Sequence, residues 1–161
     1  MSEDQRRLYT RDQLKGHNHD LATTVAGAGV VSPFDFATFH DHGYMGLYNG
    51  ERARDIAARK GLKRGQAILD WMGTEELADN LFRQVQAEAR IRREGAASRD
   101  EANRIHRQVG QQVRRFIIEE LEGTPPEQLP TPVESVQAVR SREQRRLQAE
   151  RQPSLFPKDD A

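Results

Sequence analysis

The chain has 161 residues, of which 35% are hydrophobic, and its 25 basic and 25 acidic residues leave no net charge. This length allows a single domain with or without tails, and the mean hydropathy of −0.87 predicts a modest core with much of each helix facing water or a partner. The composition argues against DNA binding through an overall basic excess, and the absence of cysteine excludes disulfides and thiolate chemistry.

Helical patterns dominate from the start of the chain. Thr10 and Gln13 have the spacing of a capping box, which predicts the start of a first helix that two later glycines end. Ser32 and Pro33 predict the start of a second helix, because a hydroxyl N-cap precedes a proline suited to the first helical position. Gly43 is expected to break this helix, and the residues after it are expected to form a compact turn.

Three helices are predicted in the middle of the chain. A short charged helix from Glu51 to Lys60 should end at Gly61, where a left-handed C-cap would sit. The apolar residues at 68–72 predict another short helix. A long helix should run from residue 74 to about residue 93 and stop at Gly95. Its buried stripe would contain Leu77, Leu81, Val85 and Glu88.

The last part of the chain combines one strong helix with a proline-rich region. Ser98 and Glu101 form a capping box that predicts a helix to Leu121. Its buried apolar stripe would contain Ile105, Val109, Val113, Phe116 and Ile117. The prolines at 124–132 predict an extended strap. The sequence therefore predicts an all-α fold: a compact domain of about five to seven helices at 5–137, a charged C-terminal helix at 133–151 and a flexible tail at 152–161.

A group of basic residues is a candidate for nucleic-acid binding. Few acidic residues lie near them in the sequence, so they could form a local basic face although the chain has zero net charge. The alternative is a solvated helix face followed by a basic turn. The residues concerned are Arg52, Arg54, Arg59, Lys60, Lys63 and Arg64.

Metal and enzyme sites are not predicted. The histidine pairs at 17/19 and 40/42 have a spacing that points the two side chains to different faces of a helix, and no His-Glu-x-x-His pattern occurs. His42 is expected instead to cap the helix break at Gly43. No nucleophile context and no glycine-rich phosphate loop is present, so we expect no catalytic residue and no cofactor.

Aromatic residues at near-helical spacing allow two interpretations. They could form a stacking platform for single-stranded bases. Because the chain is short of hydrophobic residues, core packing is the favoured interpretation. The residues concerned are Phe34, Phe36, Phe39, Tyr44 and Tyr48, and Trp71 and Met72 are expected in the core as well.

Several segments between residues 5 and 137 occur in a characteristic order and spacing. They include Asp35–Phe39, His42–Tyr48, Arg59–Lys63, Ile68–Gly73, Glu76–Arg83 and Leu129–Pro132. In this order they resemble the C-terminal half of the DNA damage-inducible protein D family. The resemblance implies a bacterial protein that is induced in the SOS response and modulates the RecA recombinase on single-stranded DNA.

The family normally carries a further domain before the point where this chain begins. That N-terminal domain is similar to BRO-type DNA-binding domains. Without it we expect weaker DNA binding and RecA modulation. The resemblance then implies either a naturally short form, for example on a mobile element or phage, or an excised domain.

The sequence Gln152-Pro153-Ser154-Leu155-Phe156 lies in the predicted tail. It resembles the short peptide by which bacterial polymerases and repair proteins dock on the DNA polymerase sliding clamp. Leu155 and Phe156 would enter an apolar groove, and the Gln152 amide would form hydrogen bonds. A chance match, or packing of the two apolar residues on the domain itself, is the alternative.

Two functions from different classes follow. The first is a non-enzymatic interaction module that binds RecA or another repair protein and docks on the clamp; such a protein would be cytoplasmic and nucleoid-associated. The second is a single-stranded-DNA-binding protein that uses the basic patch, with or without the further basic residues at 90–93. The last helix could also form a homo-oligomer through Val133, Val136, Val139 and Leu147.

Overall fold

The computed structural model of the protein describes residues 1–152. Within this range the chain forms six α-helices and no β-strand, so the predicted all-α fold is confirmed. None of these helices is long and apolar enough to span a membrane. The helices are α1 (Glu3–Ala26), α2 (Pro33–Leu47), α3 (Ala53–Arg59), α4 (Thr74–Glu94), α5 (Arg99–Arg115) and α6 (Val136–Arg151). Short 3₁₀ or π turns occupy Ile68–Trp71, Phe116–Glu120 and Pro126–Gln128.

Two pairs of helices form the body of the domain. Helix α5 packs along α2, α1 packs along α4, and contacts between α4 and α5 join the pairs, while α6 leans against α1. The residues between them form one hydrophobic cluster. Fully buried members include Leu14, Phe39, Leu47, Ile56, Leu77 and Ile105.

Helix α1 begins earlier than predicted. Ser2 is its N-cap and forms a capping box with Gln5, so Thr10 and Gln13 lie inside the helix and the predicted start is wrong. The first turns are held by Arg7, which is only 3% exposed. Its guanidinium donates to the carbonyl oxygen of Met72 at 3.0 Å and to other backbone oxygens. Long-range hydrogen bonds therefore stabilise this end of α1.

Gly43 lies inside α2, so the predicted helix break and the turn after it are wrong. A β-carbon at Gly43 would collide with the side chains of His106 and Arg83. Gly46 and Gly110 face each other where α2 crosses α5, and a β-carbon on either would meet the backbone of the other helix. The close approach of the two helices requires these glycines. The packing energy gained there outweighs the cost of placing glycine inside a helix.

Helix α4 ends as predicted, and Leu77 and Glu88 of its predicted stripe are buried, but the buried face differs elsewhere. Gly95 ends it in the left-handed conformation, with φ of 65°. Val85, expected on the buried stripe, is 37% exposed. The polar residues Asn80, Arg83 and Gln84 are fully buried instead. Contacts with other helices, rather than apolar spacing along α4, decide which face is inside.

Helix α6 packs on the domain rather than forming an intermolecular seam. It begins after the N-cap Ser135, and Val136 and Val139 are buried. Val133 precedes the helix and is 95% exposed. Val136 and Val139 already pack inside this chain, so the predicted apolar seam of four residues is wrong, while the homo-oligomer itself stays a prediction.

We predict that Gly46→Ala lowers the free energy of unfolding by about 1–3 kcal/mol, because the new methyl group must displace the backbone of α5. Gly16→Ala in α1 is the matched control, since nothing lies within 4 Å of the added β-carbon. This control should raise the free energy of unfolding by about 0.5–1 kcal/mol. Urea unfolding followed by far-UV circular dichroism measures both. Equal stability of Gly46→Ala and the wild type would contradict the close helix contact.

Candidate functional site

Lys60, predicted in an exposed basic patch, lies inside the protein. Its side chain is 0% exposed, and its ammonium donates to Glu76 Oε1 at 2.8 Å and to the carbonyl oxygen of Trp71 at 3.2 Å. Helix α3 ends just before Lys60, and the left-handed Gly61 turns the chain there. A nucleic acid cannot reach this ammonium, so the prediction is wrong for Lys60.

The rest of the predicted patch is on the surface. Arg59 is paired with Glu51, with Nε 3.0 Å from Oε2. The nucleic-acid role of the other residues stays a prediction. The exposed members without an ion pair within residues 1–152 are Arg52, Arg54, Lys63 and Arg64.

Glu76 is the centre of a buried polar network. It accepts hydrogen bonds from Lys60 and from the hydroxyl of Tyr48, the latter at 2.6 Å. The amide of Asn80 donates to the same hydroxyl at 2.9 Å. Burial raises the pKa of Glu76 although Lys60 and Tyr48 favour its ionised form, and burial raises the pKa of Tyr48 well above its ordinary value. This network ties α3 and the end of α2 to α4.

Arg83 is fully buried, and no carboxylate within residues 1–152 pairs with it. A guanidinium only donates, so Nη1 donates to Nε2 of His106 and Nη2 to Oδ1 of Asn80 at 3.0 Å. The Nδ1 of His106 therefore carries the proton and donates to the carbonyl oxygen of Phe39 at 2.8 Å. The guanidinium also lies 5.0 Å from the ring centroid of Tyr44. These contacts position α4 against both α2 and α5.

Two histidines beside Arg83 are held neutral. Burial, reinforced by the charge of Arg83, lowers the pKa of His40 to about 4 and that of His106 well below its ordinary value. In the unfolded chain both accept a proton near pH 6.5. Below that pH the unfolded state binds more protons, so acidification destabilises the fold. Asp79 acts in the opposite sense, because burial and two neighbouring glutamates raise its pKa to about 7.

The histidines do not gather as a metal site in the described part of the chain. No group of three or more His, Cys, Asp or Glu residues there could hold a metal ion. His42 lies within α2 rather than at a helix break, so its predicted capping role is wrong. It lines a surface hollow instead.

The aromatic cluster is largely internal. Phe39, Tyr44 and Tyr48 are buried, and Phe36 is partly buried against the core. Phe34, in the first turn of α2, is 78% exposed, so the expectation of core packing is wrong for this residue. The buried rings are not accessible to bases.

Two concave surfaces that sequence reasoning missed lie on either side of α5. With α4 it forms an apolar cleft of about 210 Å³, where the rings of Phe82 and Phe116 lie 6.2 Å apart. Phe116, expected on the buried stripe, is 42% exposed, because the π turn that starts there buries Ile117 instead. With α2 it forms a polar groove of two adjoining hollows, of about 550 and 560 Å³.

The predicted clamp-docking sequence begins where α6 ends. Every residue from 144 to 152 is exposed, and Gln152 is the C-cap of the helix. Pro153, Ser154, Leu155 and Phe156 lie outside the described residues. The end of α6 therefore extends from the domain surface without buried contacts.

The fold and these surfaces define a helical domain with a polar groove and an apolar cleft on its surface. A family model described as the DinD C-terminal domain matches residues 1–139. DNA damage-inducible protein D of Escherichia coli (strain K12) is 48% identical over 139 residues, which cover 86% of this chain and 50% of that protein. The chain belongs to the DinD C-terminal domain family. It spans about half the length of this curated relative, and no solved structure matches it.

We predict that Lys60→Met lowers the free energy of unfolding by about 3–5 kcal/mol, because it leaves the buried carboxylate of Glu76 without its counter-ion. The double variant Lys60→Met/Glu76→Gln should recover at least half of this loss. Lys63→Met, in the exposed loop nearby, should change stability by no more than about 0.5 kcal/mol. Chemical denaturation of the four proteins gives these values. If Lys60→Met and Lys63→Met were equally stable, the buried pair would be contradicted.

We predict that His40→Gln reduces the pH dependence of stability. Between pH 7 and pH 5 the wild type should lose about 2 kcal/mol more than the variant, since its low folded-state pKa makes proton uptake on unfolding favourable. Urea titrations at several pH values measure this difference, and Asp79 is common to both proteins. His19→Gln, an exposed position on α1, is the control. Parallel pH profiles of wild type and His40→Gln would contradict a neutral, desolvated His40.

Proposed function

We propose that the chain acts in the DNA-damage response without catalysis, by binding other proteins. Membership of the DinD C-terminal domain family and the name of its relative, DNA damage-inducible protein D, support the response itself. The proposed partners are the DNA polymerase sliding clamp, reached through the C-terminal residues, and RecA, reached through the helical domain. The observation that carries the clamp contact is the exposed end of α6 leading directly into the clamp-docking sequence.

The physical chemistry of this sequence suits a docking peptide. Leu155 and Phe156 would each contribute about 1.5–3 kcal/mol on burial in an apolar groove. The amide of Gln152 can both donate and accept hydrogen bonds, and Pro153 lowers the conformational entropy lost on binding. After ordering costs, we expect an affinity on the order of micromolar.

The apolar cleft between α4 and α5 supports a protein partner for the helical domain. Phe82 and Phe116 line it and are 41% and 42% exposed. Arg90 and Arg93 also line or border this cleft, so an apolar centre has a polar rim. Protein interfaces typically combine these two features. We propose RecA as this partner.

The alternative proposal, single-stranded DNA binding by the basic patch at 52–64, has less support. Lys60 is buried, and Arg59 is paired with Glu51. Four of the six predicted residues remain to make phosphate contacts. The patch alone is therefore a weaker candidate than its sequence suggests.

We predict that purified bacterial sliding clamp binds the full chain with micromolar affinity, and that Leu155→Ala/Phe156→Ala weakens binding at least tenfold, because the two apolar anchors are lost. Isothermal titration calorimetry measures both affinities. Lys158→Ala, just beyond the docking sequence, is the control and should bind like the wild type.

The titration also separates the two proposed partners. Absence of wild-type binding would contradict the clamp proposal and would have no bearing on the proposed contact between RecA and the helical domain. RecA filaments on single-stranded DNA would then be the partner to test. Equal binding by the wild type and the double variant would place the clamp contact elsewhere on the chain.

A further inference from the structure

The groove between α2 and α5 concentrates positive charge. Arg104, Arg107 and Arg115 line it, are exposed, and form no ion pair within residues 1–152. They follow one another along α5 at spacings that place them on one helical face. Between Glu101 and Glu119 this part of the chain contains no acid.

The acids around the groove leave this charge largely uncompensated. Asp100 lines the first hollow. Glu127 is already engaged by Arg114 through two bonds of 2.6 and 2.7 Å, and Glu51 is paired with Arg59. Three guanidiniums therefore share the groove with a single unpaired carboxylate among the residues described.

The floor of the groove is made of backbone and amide side chains. Gly46 and Gly50 line the second hollow. The close contact of α2 with α5 at Gly46 leaves backbone, without side chains, at the bottom of the groove. Gln111 belongs to both hollows and makes them continuous. Among the described residues, no Phe, Tyr or Trp lines either hollow, and His42 contributes an imidazole ring to the first. The other amides that line the groove are Asn49, Asn103 and Gln108.

We propose that this groove binds the phosphate backbone of single-stranded DNA. Guanidiniums bind phosphate through paired N–H donors, and a row of them attracts a polyanion. Arg104 and Arg115 are eleven residues apart, or about 16 Å along a helix, so the row is long enough to contact more than one phosphate of a strand. The amides can bond to base edges that an unpaired strand leaves open.

This site differs from the basic patch inferred from the sequence and does not depend on the clamp contact. The patch lies on α3 and the loop after it, whereas the groove residues come from α2 and α5. Since its charged contacts would be made to phosphates rather than to bases, the groove should bind with little sequence preference and with strong salt dependence.

The test is fluorescence anisotropy with a labelled oligothymidylate of about 12 nucleotides, titrated with the full chain at several salt concentrations. Arg104→Gln/Arg107→Gln/Arg115→Gln should bind at least tenfold more weakly at low salt. In a plot of log affinity against log salt concentration, the slope of this variant should be smaller in magnitude by about 2, because three phosphate contacts are lost. Matching urea midpoints would show that the variant folds.

Two control variants locate the effect. Arg145→Gln/Arg146→Gln/Arg151→Gln removes the same charge from the exposed end of α6 and should change the affinity less than threefold. Arg54→Gln/Lys63→Gln/Arg64→Gln tests the sequence-predicted patch and should behave likewise. A loss in the patch variant with none in the groove variant would overturn the proposal.

Three further results would also overturn it. The first is absence of wild-type binding at low salt. The second is equal affinity for duplex DNA of the same length, which would remove the preference for an unpaired strand. The third is displacement of the oligonucleotide by polyglutamate at equal charge, which would point to an acidic protein surface instead.

Discussion

The contact of α2 with α5 at Gly46 and Gly110 is the constraint on which the rest of the domain depends. Because neither position has a side chain, the two backbones meet directly. Gly43, one turn earlier, leaves room for His106 and Arg83. Those side chains then connect α5 and α2 to α4. The same short distance between the helices forms the floor of the polar groove on the outside.

A buried polar network supplements a core that is poor in apolar residues. Glu76 and Lys60 neutralise each other, the Tyr48 hydroxyl donates to Glu76, and the Asn80 amide donates to that hydroxyl. Arg83 has hydrogen-bonding partners but no counter-ion within residues 1–152. Such networks favour a single arrangement of the helices that contribute the side chains, because a different arrangement would separate buried polar groups from their partners. The net charge of zero therefore indicates neither the charged groups buried in the core nor the unpaired arginines in the groove.

Local signals in the sequence determined much of the helical framework. Ser32 and Ser98 cap α2 and α5 as predicted, Gly61 adopts the left-handed conformation expected after α3, and Gly95 ends α4 as predicted. These features depend on residues within one helical turn, so their spacing alone reveals them. The resemblance to the DNA damage-inducible protein D family rests on longer segments in a fixed order, and the family match confirms it.

Only the tertiary structure decided which polar residues are buried and which surfaces are available for binding. The sequence predicts Lys60 on the surface, but folding buries its ammonium beside the carboxylate of Glu76, 16 residues away. Arg83 meets His106 across 23 residues, and Arg7 reaches the backbone of Glu134 across 127. Burial of a charge depends on partners brought together by folding, whereas capping depends on neighbours in the chain. For this reason the sequence by itself determined where most helices begin and end, and the packing of those helices determined their polar interior and their exposed grooves.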